Sequence, residues 1–515
     1  MKAQDYIISS EKFVFRSQGE RLHDKKLETK PISYMRDAMN RFAKNKASIV
    51  ATFIIGILIL FAVVGPLLTP YTVAYADNNY SLVKPKNELF YNLGIHFWDG
   101  GVEKDKINEI DYLMYRAIEE EIGRPVIMGD AEREEYVYFG KNKVAYSFRL
   151  DTYNAVGVKY VDISAEEYQR LQAYQDLKGI QIILPATDPT QMPQTGAFAG
   201  AQSSNIWYQL DDKGKIVLDK DGNYVPIYKE NDGKDIYTSK MVFKNYDPEN
   251  YNYSIKMDGD LWRVRVDYRE YYIYKHELAG DGIKTPTFIF GANQMGKDLF
   301  SCLSNGARFS FVLAIVVAVV NLFVGAIYGA IEGYYGGRID ILMERFVEIL
   351  GSIPFMIVIT LLKYHLEVSH VVILFISFFL TGWTGMAGRT RMQFYRFKNQ
   401  EYVLVARTLG ANDRRVMFKH IFPNAVGTLI TGSVLVIPGV IFSETSLSYL
   451  GIIDLSTGGT TSVGTLLAAG QQYLFTHPHL IFFPAVFISL LMLSFNLFGN
   501  GLRDAFNPSL RGTEE

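Results

Sequence analysis

The 515-residue chain has one cysteine, Cys302. It can close no internal disulfide and build no cysteine zinc cluster. That count says nothing about compartment. Neither sign of charge is in excess. Lys and Arg number 52 against 54 Asp and Glu, a net charge of −2, so nothing marks a nucleic-acid binder. The eight histidines show no His-Glu-x-x-His or other paired metal spacing, although His477 and His479 flank Pro478. There is no Gly-x-Ser-x-Gly nucleophile elbow, no internal repeat and no low-complexity tract. The expectation is a chain with no catalytic residues, metal site or cofactor of its own. A cleavable signal peptide is also excluded, because residues 1–46 are charged and mixed and the first apolar run starts too late.

What the sequence does have is long apolar runs. The mean hydropathy of +0.05 averages those runs with a polar, tyrosine-rich middle. A membrane helix needs roughly 20 mostly apolar residues. Ala47–Leu68, Phe309–Ile331, Phe346–Leu362, His370–Ala387, Ala425–Phe442 and Leu480–Phe498 give six spans. The third is short and interrupted by Ser352 and Pro354. Basic residues in short loops set orientation. Arg36, Arg41, Lys44 and Lys46 precede span one. Gly388–Asn424 carries Arg389, Arg391, Arg396, Lys398, Arg407, Arg414, Arg415 and Lys419, while Ser443–His479 has no lysine or arginine. These counts predict a multi-pass protein of the cell membrane with both termini cytoplasmic and residues 69–290 outside.

That outer stretch is long enough for an independent domain and reads as α+β. Ile107, Ile110, Leu113, Met114, Ala117, Ile118 and Ile122 recur at helical spacing, and Ser164–Glu167 is a capping box opening a second helix. Strand patterns occupy Glu135–Phe139, Ile180–Leu184, Lys215–Leu218 and Leu261–Tyr274, with hairpin turns at Asp212–Gly214 and Asp221–Gly222. Tyr136, Tyr138, Tyr268, Tyr271, Tyr272 and Tyr274 suit either a docking surface or a β-rich core.

Two segments approach known motifs. Gly291–Asp298 nearly matches a phosphate-binding loop, but Asp298 stands where Ser or Thr should hold magnesium; a turn into a membrane helix is the better reading. Asp219–Asn223 hints at a calcium loop, but Tyr224 occupies the position that needs glycine; a β-turn is expected. A third segment is more specific. Glu401–Leu409 forms a short helix, Gly410 permits a left-handed turn, Asp413–Ile421 forms a second helix, and Pro423 stops it before span five. A rigid helix pair between two spans makes a lever. An ordinary basic loop accounts for the spacing equally well.

Here the chain resembles a family. Gly410 with Ile421-Phe422-Pro423 is similar to the coupling motif of ATP-binding-cassette (ABC) importer permeases, with Leu404, Val405 and Ala406 where Glu-Ala-Ala is usual. Gly291–Ser301, Gly306–Ser310, Gly333–Asp340, Glu444–Gly451 and Phe495–Asp504 with Pro508 resemble further family motifs. Ala292, Asn293 and Lys297 are departures. The set resembles the C-type subunit of oligopeptide, dipeptide and nickel permeases. The resemblance covers Ala47–Tyr71 loosely and Gly291–Pro508 closely, and leaves Thr72–Phe290 out.

The resemblance implies an all-α, six-helix type I permease, here with an α+β insert at 69–290, a permease core at 291–508 and tails at 1–46 and 509–515. It implies a bilayer setting and several partners: a second homologous permease, two cytosolic ATP-binding subunits, an extracytoplasmic peptide-binding protein and a peptide substrate. Glu401, Ala406, Arg407, Gly410, Ala411 and Pro423 would couple to the ATPase, with Glu401 or Arg407 replacing the missing glutamate. Nickel complexes or another small solute are the alternative cargo. A membrane-anchored receptor using the insert, or a secondary transporter, would need neither the motif set nor the ATPases. Asn321 and Asn496 are expected in the bundle interior, as pore residues or helix–helix bonds. Glu444 is expected at the outer end of span five, lining a vestibule or hydrated at the interface. Pro354 and Pro438 are expected to kink their helices.

Overall fold

The computed structural model describes residues 34–506, apart from 94–95, 140, 192–204, 206–207, 210, 212–215, 223, 235–248 and 456–459. The expected Asp212–Gly214 turn, Pro508 and residues 509–515 therefore lie outside the described residues, as does part of the Lys215–Leu218 strand. A surface helix, α1 (Tyr34–Lys44), leads into the first long apolar helix, α2 (Lys46–Leu68). Asn45 caps α2, its Oδ1 accepting the Ser48 N–H at 3.3 Å.

An α+β domain follows, containing α3 (Glu88–Asn92), β1 (Gly101–Asn108), α4 (Glu109–Ile122), β2 (Ile127–Tyr138), β3 (Lys141–Asp151), β4 (Val158–Ser164), α5 (Ala165–Lys178), β5 (Ile183–Leu184), β6 (Ser254–Lys256), β7 (Leu261–Asp267) and α6 (Tyr268–Ala279). One antiparallel sheet has the order β1-β3-β2, and in the other β4, β5 and β6 all pair with β7. The first expected helix is α4, capped by Asn108, with Ile107 left in β1. The second is α5, capped by Ser164 as expected. The Asp219–Asn223 stretch turns at Gly222, whose N–H bonds the Asp219 carbonyl at 3.2 Å.

The expected strand Leu261–Tyr274 is corrected at Asp267. There the strand ends and Asp267 caps α6 by accepting the Arg269 N–H at 3.2 Å. Asp267 with Glu270 three residues on is a helix-start signature that the apolar alternation masked. Tyr268, Tyr271, Tyr272 and Tyr274 are consequently buried with Ile118, Phe148, Tyr168 and Val264. They fill a core and form no docking surface, whereas Tyr136 is exposed. In the same domain Arg265 is wholly buried, its Nη2 2.5 Å from Glu121 Oε2 and its Nη1 3.0 Å from the Pro185 carbonyl. A buried guanidinium is tolerable only with such a partner and its remaining donors satisfied.

The remainder is helical: α7 (Leu299–Tyr335), α8 (Gly337–Ser352), α9 (Phe355–His365), α10 (His370–Thr381), α11 (Thr384–Phe397), α12 (Glu401–Thr408), α13 (Asp413–Arg415), α14 (Phe422–Val434), α15 (Val436–Tyr449), α16 (Val463–Gly470) and α17 (His479–Ala505). Among the described residues five helices are long and apolar enough to cross a membrane, and a sixth crossing exists if α8 and α9, bent by 75°, are one span. The marginal third span falls across that bend. Proline disfavours helical backbone at the residue before it, and Ile353, before Pro354, is extended. Upstream of Pro438 the regular helix is interrupted for one residue, Leu435, between α14 and α15, and the span Asp413–Tyr449 continues through it.

Close helix contact is written in glycines. Gly325, Gly329 and Gly333 recur every four residues on α7, facing α11. A Cβ on Gly329 would lie 2.1 Å from the Ala387 carbonyl oxygen, and one on Gly333 2.7 Å from that of Arg391. Such small-residue stripes let apolar helices approach backbone to backbone. At its 37 residues, α7 is about 55 Å long. The Gly291–Asp298 turn that leads in from the α+β domain opens it, the Leu299 N–H bonding the Gly291 carbonyl at 3.0 Å. Its last turn meets Arg407 of α12 through Tyr334, so the domain and α12 adjoin opposite ends of α7.

Candidate functional site

The segment between α11 and α14 is built as a capped hairpin. Glu401 opens α12 from its exposed first turn. Val403 and Ala406 are buried, while Leu404, Val405 and Leu409 face out. The helix closes at Gly410, which takes φ +83°. The Gly410 N–H bonds the Arg407 carbonyl at 2.9 Å and the Ala411 N–H bonds the Ala406 carbonyl at 3.0 Å. This is a Schellman closure, which favours glycine because a side chain there is strained. Half-buried Ala411 completes the apolar contact that accompanies it. Asn412 then caps the next helix, accepting the Arg415 N–H at 2.9 Å.

The expected stop at Pro423 is corrected. Residues Val416–Ile421 form a π-helical stretch and Pro423 sits in the first turn of α14, so the helix runs on from Asp413 into span five. Proline in a regular helix interior clashes with the carbonyl four residues back; the wider turn just before it accommodates the ring. Pro423 itself is exposed.

One apolar cluster fastens this hairpin to the bundle: Val403, Val416, Met417 and Ile421 pack with Ala330 and Tyr334 of α7 and Phe394 of α11. Arg407 lies with its guanidinium 5.0 Å from the centre of the Tyr334 ring. The Tyr334 hydroxyl donates to Asp413 at 2.6 Å. Glu401, Ala406, Arg407, Gly410 and Ala411 are thus brought together on one short hairpin. Arg407 is committed to it through Tyr334, and Glu401 stands free at its entrance.

Beside it lies a group whose role the sequence hid. Arg391 on α11 reaches Asp340 on α8 with Nε–Oδ1 at 2.6 Å and Nη2–Oδ2 at 3.1 Å. Glu332 and Glu344 lie 3.3 and 3.6 Å from the same guanidinium. Tyr395 donates to Asp340 at 2.6 Å, and Lys398 donates to the Gly333 carbonyl at 2.9 Å. In the sequence Arg391 and Lys398 counted only as loop charges. The Gly333–Asp340 motif was the available signal.

The three in-span residues separate. Asn321 is buried against Gly382, as expected for the interior. Asn496 is corrected: it faces outward, because Leu491, Phe495, Gly499 and Leu502 form the inner face of α17. Glu444 is also corrected. It neither lines a vestibule nor meets water, being fully buried and accepting bonds from Ser310 at 3.0 Å and Ser448 at 3.1 Å. At the other end, Gly291–Asp298 is the expected turn into α7. Asp298 caps that helix, accepting the N–H groups of Ser301 and Phe300 at 2.9 and 3.3 Å and the Thr69 hydroxyl at 3.2 Å. Its carboxylate is committed to structure. Among the described residues no group of His, Cys, Asp and Glu is placed to hold a metal.

The site is a braced hairpin on one end of a helical bundle with apolar helices long enough to cross a membrane. Residues 323–512 match the family model for the binding-protein-dependent transport system inner membrane component. Residues 33–85 match that for the N-terminal transmembrane domain of oligopeptide transport permease C. The oligopeptide transport system permease protein OppC of Bacillus subtilis is 41% identical over 222 residues, 43% of this chain and 72% of the relative. The dipeptide transport system permease protein DppC of the same organism is 38% identical over 223 residues, 43% of this chain and 69% of the relative. The Haemophilus influenzae OppC is 39% identical over 226 residues, 43% of this chain and 70% of the relative. The chain belongs to the oligopeptide and dipeptide permease family of ABC importers. Residues 86–322, with nearly all of the α+β domain, lie between the two family-model matches.

Proposed function

We propose that this chain imports oligopeptides or dipeptides as the C-type permease of an ABC importer, with the 401–424 hairpin docked on a cytosolic ATPase. Relatives named for oligopeptide and dipeptide transport support the cargo. The observation that carries the coupling role is the outward apolar face of α12. Leu404, Val405 and Leu409 are exposed on a helix whose opposite side is packed into the bundle and whose end is locked by the Gly410 closure. Isolated apolar residues on a basic loop gain nothing from exposure to water. A contiguous rigid patch gains from a partner.

In this reading the hairpin end is cytoplasmic, as are both termini, since α1 packs near the C-terminal turn of α17 through Ala38, Phe42, Leu502 and Phe506. The α+β domain is then extracytoplasmic, on the side where a peptide-binding protein delivers cargo. The second permease subunit completes the pore, and the second ATPase docks on it. ATP-driven closure of the ATPase pair would move α12, and the cluster around Tyr334 and Phe394 would carry that movement into α7 and α11. The chain itself hydrolyses no ATP.

The test is affinity capture of this chain from its native membrane. The wild type should retain two ATP-binding subunits. Leu404→Asp with Leu409→Asp should release them while the second permease stays bound. Retention of the ATPases by that variant would contradict the docking face.

A further inference from the structure

The α+β domain carries an apolar edge that the transport reading leaves unused. Leu89 of α3 and Leu93, which closes that helix, stand one turn apart and are both about two-thirds exposed (65% and 66%). Glu88 and Asn92 share the short helix, so it is polar on one side and apolar on the other. A few residues on, Phe97 is also exposed, and Trp98 follows with its indole N–H donated to the Ile289 carbonyl at 2.8 Å. Leucine pairs of this kind would ordinarily be turned inward if the segment faced only water.

The place of this edge identifies its partner. Phe97 meets Phe482 edge-on, ring centres 5.6 Å apart, and Trp98 lies 6.2 Å from Phe483. Phe482 is the first residue of an outward stripe down α17 that continues through Val486, Leu490, Leu493 and Leu497. The spacing of that stripe is one helix face, on a helix long and apolar enough to cross a membrane. The exposed edge of the α+β domain thus continues the apolar outer surface of the bundle at the level where α17 begins. Amphipathic segments with Trp and Phe at that level sit in the headgroup boundary, where the ring is apolar and its N–H is satisfied.

We infer that α3 with Leu93 and Phe97 forms an interfacial anchor, with Leu89, Leu93 and Phe97 inserted into the lipid leaflet around the start of α17. The anchor fixes the tilt of the α+β domain against the bilayer, beyond what its covalent links to α2 and α7 provide. The inference rests on the membrane bundle alone and does not depend on the cargo or on the ATPase contact.

The test places a nitroxide at Leu93 in the full transporter complex reconstituted in phosphatidylethanolamine–phosphatidylglycerol nanodiscs, with buried Cys302 replaced by serine. Collision rates with oxygen and with a neutral nickel chelate are compared with those of labels at Leu493, on the bundle surface, and Leu218, exposed on the domain. The anchor predicts that Leu93 favours oxygen over nickel several-fold, as Leu493 does. Nickel accessibility equal to that of Leu218 would overturn it. So would suppression of both collisions, which would mean that a protein partner covers the edge. A label at Leu89 repeats the measurement if the Leu93 label disturbs assembly.

Discussion

Arg391 grips Asp340 with two parallel bonds, 2.6 and 3.1 Å long, across the gap between α11 and α8. The fork geometry is one that lysine lacks. Glu332, fully buried, and Glu344 draw on the same cation. The pair ties the helix that leads into α12 to the helix that bends at Pro354.

Removing the cation therefore does more than lose a bond, because it leaves three carboxylates facing one another. Arg391→Ala should destabilise the bundle by about 2–3 kcal/mol, below the ~3–5 kcal/mol of a fully buried pair because the guanidinium is partly exposed. Arg391→Lys, keeping charge but not the fork, should recover about half. Thermal unfolding of the purified complex checks the order wild type, Lys, Ala. ATP-driven uptake should fall in the same order if α8 moves with the hairpin.

Asp298 gives a pH signature. Burial, the largest influence, raises its carboxyl to about 6, while the Ser301 and Phe300 N–H groups and the Thr69 hydroxyl pull the other way. A carboxyl raised in the folded state holds a proton between about pH 4 and 6 that the unfolded chain has released. Its contribution is therefore most favourable below about pH 4 and is lost as pH rises through about 6, on the order of 2–3 kcal/mol. Asp298→Asn keeps a capping oxygen and removes the titration. The difference in melting temperature between variant and wild type should grow in the variant's favour from pH 4.5 to pH 7. Parallel pH profiles would show that Asp298 does not titrate in this window.

Much of this was legible in the sequence because membrane spans and caps are local signals. Spans of apolar residues, the Ser164 cap and the Gly410 turn each follow from neighbours in the chain. The misreadings arose where helix geometry or packing between distant segments decided the outcome. Alternation through Leu261–Tyr274 looked like one strand because a tyrosine-rich helix presents apolar residues to the same core. Pro423 looked like a stop because the π-helical stretch before it leaves no mark in composition. Glu444 looked like an interface residue because its partner Ser310, 134 residues away, meets it only in the fold. Asn496 needed the helix phase of α17. Arg391 needed Asp340, 51 residues away.

The central claim is that the 401–424 hairpin is the surface on which an ATPase acts, and Gly410 tests it most directly. A Cβ there would meet no atom of the described residues within 4 Å, so beyond the backbone strain of a side chain at φ +83° added bulk falls on what docks there. Asparagine tolerates the left-handed conformation and serves as the control for backbone strain. In vesicles containing the reconstituted complex, Gly410→Asn should retain most peptide uptake per ATP hydrolysed. Gly410→Trp should lower it at least about tenfold, the loss that ~1.4 kcal/mol would give in an affinity, read here as uncoupling of uptake from hydrolysis. Normal uptake per ATP in the Gly410→Trp complex would contradict the account.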